Sequence, residues 1–255
     1  MPCQIINANS ELHLPDLSEE FDACITDPYF DVMSIGNSKA TKQDRNDRFI
    51  PICKEIYRVL KPDSSFVFFC SVKYMMQHSA ELEAIGFTFC YEMIWNKNRG
   101  VSFLTAKKRP LQKHETIFVY SKGKPNYNYE EAKSHGHKPT KRGRYKIDKD
   151  YVKIETNHHE NDGSRYMTTV LDCPVSTYKK RTTCPFEKPI PLCERLVQAF
   201  SNPGDTILDP YSGSGSICLA ARNLDRKFLG IEINEDYWRQ SIESLRCNDV
   251  LKGPS

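Results

Sequence analysis

Apolar positions along this chain alternate between two spacings. Residues 21–26, FDACIT, form a short apolar run that fits a strand. Residues 44–60 carry apolar side chains at helical spacing, and the pattern stops at Lys61-Pro62. SSFVFFC at 64–70 is dense in β-formers and suits a strand buried on both faces. A helical stretch at about 73–85 follows, then strands over 87–96 (FTFCYEMIWN) and 114–122 (HETIFVYSK). Strand and helix resume after residue 188: a helix over 189–201, an Asn-Pro-Gly turn and a strand over 205–210. A glycine-rich loop then feeds a helix, followed by a strand over 226–233 and a last helix capped by Asn234. This alternation predicts an α/β sheet.

Residues 122–183 break the rhythm. Lys, Arg and His alternate there with tyrosines such as Tyr127, Tyr145 and Tyr166, and apolar periodicity is weak. The segment reads as a separate functional insert or a disordered loop, with the tyrosines favouring a segment that orders on binding. Net charge is only +3, but its distribution is uneven. Residues 121–183 hold 14 Lys and Arg against 8 Asp and Glu, a balance of +6, which leaves the remainder at −3. Positive charge gathered in one block calls for an anionic partner.

The length of 255 residues fits one large domain, or one domain with an insertion. No apolar run approaches the ~18 residues of a membrane span. The opening MPCQIINANS lacks the basic and apolar regions of a secretory signal, so a cytoplasmic location is expected. The ten cysteines are scattered without a C-x-x-C pair, which predicts free thiols in the interior. Cys173 and Cys184 with His158 and His159 match no standard zinc spacing, and no metal is expected.

Two loops carry candidate chemistry. In CITDPYFDV (24–32) a strand ends on Asp27, with Pro28, Tyr29 and Phe30 directly behind it. In DPYSGSGS (209–216) glycines between a strand and a helix let the backbone approach a ligand at a helix N-terminus. No Gly-Lys-Ser or Gly-Lys-Thr is present, which argues against ATP hydrolysis. The next strand ends at Glu232, 17 positions after Gly215, where a nucleoside-binding fold places the acid that accepts from both ribose hydroxyls.

These motifs, in this order, resemble the amino-group DNA methyltransferases that use S-adenosylmethionine, in the permuted beta order with the catalytic half first. TDPYF resembles the family's catalytic tetrapeptide, with Tyr29 where a second proline is usual. EIYRVLKPDSSFVFF and KHETIFVYSKGK resemble the strands and helix that follow it. CPFEKPIPLCERLVQAFSNPGDTILDPYSGSG and LGIEINEDYW resemble the cofactor motifs, with Tyr211 in place of Phe and Glu187 in place of Gln. IINANSELHLP is a weaker match that sets Asn9 at an often acidic position.

The resemblance implies a Rossmann-like α/β fold, with a mostly parallel twisted sheet, helices on both faces and a circularly permuted motif order. It implies a catalytic half over residues 1–121, a target-recognition insert over 122–183 and a cofactor half over 184–255. Asp27, Pro28, Tyr29 and Phe30 would be catalytic. S-adenosyl-L-methionine would be held by Asn9, Lys188, Asp209, Pro210, Tyr211, Ser212, Gly213, Ser214, Gly215 and Glu232. Lys138, Lys141, Arg142, Arg144 and Lys146 would bind double-stranded DNA. Residues 31–48, mostly polar, would form a mobile loop closing over the site.

Asp at the first catalytic position leans toward adenine N6, whereas serine there leans toward cytosine N4. Cytosine-N4 methylation, methylation of RNA or protein, and an inactive DNA-binding or cofactor-binding subunit are the alternative readings. A homodimer and a cognate restriction endonuclease are open as partners.

Overall fold

A computed structural model describes residues 3–18, 20–28, 42–101, 104, 106–138, 162–175 and 187–252. Eight strands are described: β1 (Gln4–Asn7), β2 (Phe21–Thr26), β3 (Leu60–Cys70), β4 (Thr88–Val101), β5 (Gln112–Lys122), β6 (Val170–Asp172), β7 (Thr206–Asp209) and β8 (Lys227–Glu232). They form one sheet in the order β1-β8-β7-β2-β3-β5-β4-β6. Five of the seven pairings are parallel; only β3 with β5 and β5 with β4 are antiparallel. The chain has the Rossmann-like architecture expected of it.

Six described α-helices accompany the strands: α1 (Ser10–His13), α2 (Lys42–Val59), α3 (Val72–Ile85), α4 (Ile190–Phe200), α5 (Ser216–Asn223) and α6 (Glu235–Lys252). Side chains alternate across each strand, so each central strand feeds two cores. Ile25, Val67, Phe69, Ile117, Val119 and Ile207 face α4 and α5 on one side. Phe66, Phe68, Phe118, Tyr120, Leu208 and Leu229 face α2 and α3 on the other. Phe66 and Phe68 stack with ring centroids 4.5 Å apart, and Phe68 stacks on Tyr120 at 5.9 Å. Each such side chain contributes roughly 1.5–3 kcal/mol by leaving water, which makes these two layers the main source of stability.

Local chemistry explains the borders. Ser71 caps α3 by accepting from the Tyr74 amide at 3.3 Å, and Asn234 caps α6 by accepting from Asp236 and Tyr237 at 3.0 and 3.1 Å. β3 starts at Leu60, ahead of the predicted residue 64, because the helix yields directly to a strand that bulges around Pro62. Phe21 pairs with Leu60 but Ala23 pairs with Ser65, and Asp63 adopts a φ of 58°. Pro62 has no amide hydrogen for the ladder, so a bulge is the arrangement open to it.

Two sequence expectations change. Residues 42–48 belong to α2, so the end of the predicted polar loop 31–48 is helical; residues 29–41 lie outside the described ones. Part of the 122–183 segment joins the core. β6 pairs Leu171 with Trp95, the Trp95 indole donates to the Cys173 carbonyl at 2.7 Å, and Ala132, Leu171 and Cys173 are buried. Three apolar positions among many charges were too sparse to show a period.

Six cysteines are buried free thiols, while Cys90 is half-buried and Cys3 exposed. Cys184, His158 and His159 lie outside the described residues, among which no metal-binding group of His, Cys, Asp or Glu occurs. No described helix is long and apolar enough to cross a membrane.

Candidate active site

The parallel strands deliver their carboxyl ends to one edge of the sheet, where a doubly wound fold leaves its crevice. β2 and β7 are neighbours there. Thr26, the last residue of β2, donates its hydroxyl to Asp209 Oδ1 at 2.7 Å, and Asp209 is the last residue of β7. The two loops singled out in the sequence are therefore joined by one buried hydrogen bond.

Asp27 follows Thr26 directly and is half-buried, and Pro28 behind it is buried. The Asp27 carboxylate is ion-paired with the Lys188 ammonium. Lys188 also lies 3.4 Å from Glu115 Oε2, and Lys97 pairs with the other oxygen of Glu115. The Phe69 and Trp95 rings sit beneath the two ammonium groups, at 4.7 Å from Lys188 and 5.1 Å from Lys97.

The four charges cancel, yet they are not equivalent. Burial pushes the Asp27 carboxyl above its ordinary value; Lys188 opposes this and Glu115 adds to it. Burial also works to raise Glu115, but the two lysines outweigh it and hold that carboxyl below its ordinary value. Burial would lower Lys188, but the two carboxylates outweigh it and keep the ammonium protonated. Asp27 is thus the proton-seeking member of the cluster, in which Glu115 and Lys188 are held ionised.

The glycine loop is built by close approach. Ser212 donates its amide to the Ile231 carbonyl at 3.0 Å, and Gly213 donates to Glu232 Oε2 at 2.8 Å. Glu232 Oε1 accepts from the Asn234 amide at 2.7 Å. Gly215 sits at φ 81°, and a Cβ there would lie 2.9 Å from the Ser241 Cβ, so both conformation and space select glycine. Buried Asp209 is raised to about 7 by loss of water, against the opposing bonds from Thr26 and the Tyr211 amide. Among the buried side-chain nitrogen and oxygen atoms of the described residues, only the Ser212 hydroxyl has no hydrogen-bond partner. An orphaned hydroxyl between a glycine-lined backbone and an acid is what a polar ligand in this loop would satisfy.

The other predicted residues distribute as follows. Asn9 caps α1 by accepting from the Glu11 amide at 3.0 Å, and the neighbouring Ser10 hydroxyl donates to the Pro210 carbonyl. Asn9 therefore stands beside the glycine loop. Lys188 meets Asp27, at the catalytic end of the site. Lys138 is exposed. Tyr29, Phe30, Lys141, Arg142, Arg144 and Lys146 lie outside the described residues. Glu115, Lys97 and Thr26 are further members of the site, outside the set of predicted site residues. The signal for Glu115 was an acid immediately before the apolar run TIFVY, on a strand that could have been placed antiparallel beside β3.

The model of the N6/N4 DNA methylase family matches residues 21–243. The chain belongs to this family. Among relatives of this DNA methylase, the type II methyltransferase M.HpaI of Haemophilus parainfluenzae is 27% identical over 256 residues, covering 96% of this chain and 74% of its own. The DNA adenine methyltransferase YhdJ of Escherichia coli K12 is 28% identical over 240 residues, covering 89% and 77%. Among solved structures, the M1.HpyAVI–SAM complex superposes with a TM-score of 0.69 at 23% identity, over 95% of this methylase and 98% of that chain. The cytosine-N4-specific PvuII DNA methyltransferase reaches 0.69 at 18% identity, over 99% and 93%. At these identities the two structures establish the fold.

Proposed function

We propose that this methylase transfers a methyl group from S-adenosylmethionine to the exocyclic N6 amine of a flipped adenine in duplex DNA. The observation that carries this reading is the placement of Asp27. Its carboxylate sits at the tip of β2, joined through Thr26 to the strand that opens the glycine loop. The likeness to YhdJ, a DNA adenine methyltransferase, supports adenine as the base.

An exocyclic amine is a poor nucleophile because its lone pair is delocalised into the ring. Asp27 accepts one N–H and the Pro28 carbonyl accepts the other, which pulls the nitrogen toward tetrahedral geometry and aims its lone pair. The base must leave the stack to reach them, and Phe30, by the family's motif, would stack on it for ~1–3 kcal/mol. As the amine gains a methyl its N–H bond breaks, and the proton passes to the Asp27 carboxylate, which burial makes more basic. Lys188 then leans toward Glu115, which keeps the ammonium paired while Asp27 is neutral.

When bound, S-adenosylmethionine supplies the electrophilic methyl group. Glu232 would hold its ribose hydroxyls, and the backbone of Asp209 to Gly215, with the Ser212 hydroxyl and neighbouring Asn9, would hold the remainder. Backbone amides of Gly213, Asn234 and Ile233 leave part of the roughly four lone-pair positions of the Glu232 carboxylate open for this task. The basic 122–183 segment, through Lys138, Lys141, Arg142, Arg144 and Lys146, would seat the duplex and read its sequence.

The test is transfer of labelled methyl from the cofactor to duplex DNA, followed by nucleoside analysis. N6-methyladenine is expected, and Asp27→Ala should abolish it while cofactor binding persists. N4-methylcytosine would overturn the choice of base, and no labelled DNA would overturn the enzyme reading.

A further inference from the structure

The hairpin between β4 and β5 carries exposed cations outside the ion cluster. From Lys97 to His114 the sequence has six Lys and Arg and no Asp or Glu. That excess equals the +6 of the whole 121–183 block, reached in 18 residues instead of 63. Lys97 turns inward to Glu115, but Arg99, Lys107, Lys108 and Lys113 are exposed. Leu104, 95% exposed, falls between them in sequence. Crowding cations without interspersed acids costs self-repulsion in the free protein, a cost that a polyanion removes.

Position strengthens the case. β5 pairs with β4 through Asn96 and His114, and again through Val101 and Gln112, so the hairpin continues outward from the level of Glu115. Glu115 itself is two ion pairs from Asp27, by way of Lys188. The exposed cations therefore leave the same edge of the sheet at which the base would be presented. At ~3.4 Å per residue, the strand from Glu115 to Gln112 carries the hairpin roughly 10 Å from the cluster, about the half-width of a duplex.

We propose that Arg99, Lys107, Lys108 and Lys113 of the β4–β5 hairpin form a second DNA-binding arm, separate from the 122–183 segment, that grips the phosphates flanking the flipped base. The proposal rests on the DNA reading above. The test measures binding of the full-length protein to a dye-labelled duplex by fluorescence anisotropy, between 50 and 200 mM salt, with the quadruple variant R99Q/K107Q/K108Q/K113Q beside wild type. Each phosphate that the variant no longer neutralises should flatten the slope of log affinity against log salt by about 0.9, hence by up to about 3.6 for all four. Affinity at the lowest salt should fall at least about tenfold, with cofactor binding and melting temperature unchanged.

An unchanged slope and affinity would mean a solvated hairpin and overturn the proposal. Should the quadruple variant melt lower, the single variants K107Q and K108Q decide, each expected to flatten the slope by about 0.9. Wild type that binds the duplex but transfers no methyl overturns the enzyme reading and leaves the arm standing. Wild type that binds no duplex overturns both.

Discussion

Asp209→Asn isolates the electrostatic cost stored beneath the glycine loop. Asp209 is 1% exposed, and its carboxyl is raised from an ordinary 3.8 to about 7. Between those two values the folded protein keeps a proton that the unfolded chain releases. Stability from this group is therefore complete below about pH 4 and is lost as pH rises through about 7. Three pH units at about 1.4 kcal/mol each set a ceiling of roughly 4 kcal/mol, of which some 2–3 kcal/mol develops between pH 5 and pH 8.

Asparagine keeps an oxygen for the Thr26 hydroxyl and the Tyr211 amide and carries no charge to bury. Its baseline effect is independent of pH, so the informative quantity is the difference between two differences. Urea unfolding of both proteins at pH 5 and pH 8 measures it by linear extrapolation. The variant should gain roughly 2–3 kcal/mol on wild type between those pH values. A stability difference that is the same at both, within about 0.5 kcal/mol, would refute the claim that burial holds this carboxyl high.

Three further perturbations probe neighbouring groups. Glu232→Ala strips an anionic acceptor from the Gly213 and Asn234 amides, at ~1.5–3 kcal/mol each, so melting temperature should fall. Calorimetry should show cofactor affinity at least tenfold weaker, roughly the loss of one charged hydrogen bond, and an unchanged Kd would count against Glu232 as a ligand. Lys188→Met removes the cation that opposes burial at Asp27, so the acidic limb of the kcat profile should move to higher pH; a limb that stays put denies the coupling. Gly230→Ala would set a Cβ 2.8 Å from Cys218 Sγ and 3.0 Å from Ile5 Cγ1, an overpacking expected to cost ~1–3 kcal/mol in the urea midpoint. A wild-type midpoint there would show that β1 and α5 give way freely.

The strands and helices that make the cores were legible because their apolar runs are long. FDACIT fills β2, SSFVFFC and the run after Glu115 make the buried parts of the longer β3 and β5, and the cofactor loop was marked by its glycines and by the acid at Glu232. The ion cluster was not legible. Lys188 lies 161 positions from Asp27, and only the pairing of β2 with β7 and of β3 with β5 brings their neighbourhoods together. A lysine before a proline looks the same whether it faces a cofactor or a carboxylate. β6 escaped notice because three residues cannot display a period, and the direction of the β4–β5 hairpin depends on strand order, which local pattern does not encode.

That strand order also sets a timetable. β8 and β7 occupy the slot between β1 and β2, so among the described strands the first two to leave the ribosome are separated by the last two. Gln4 meets Leu229 across 225 positions of chain. At ~5–20 residues per second, β2 would wait roughly 10–40 s for β7, its β7-facing edge without a partner strand meanwhile. Pairings of such range also slow folding after release. Mutations in β7 or β8 that barely disturb the finished molecule could therefore lower its yield in cells, by prolonging the interval in which the nascent edge stands open.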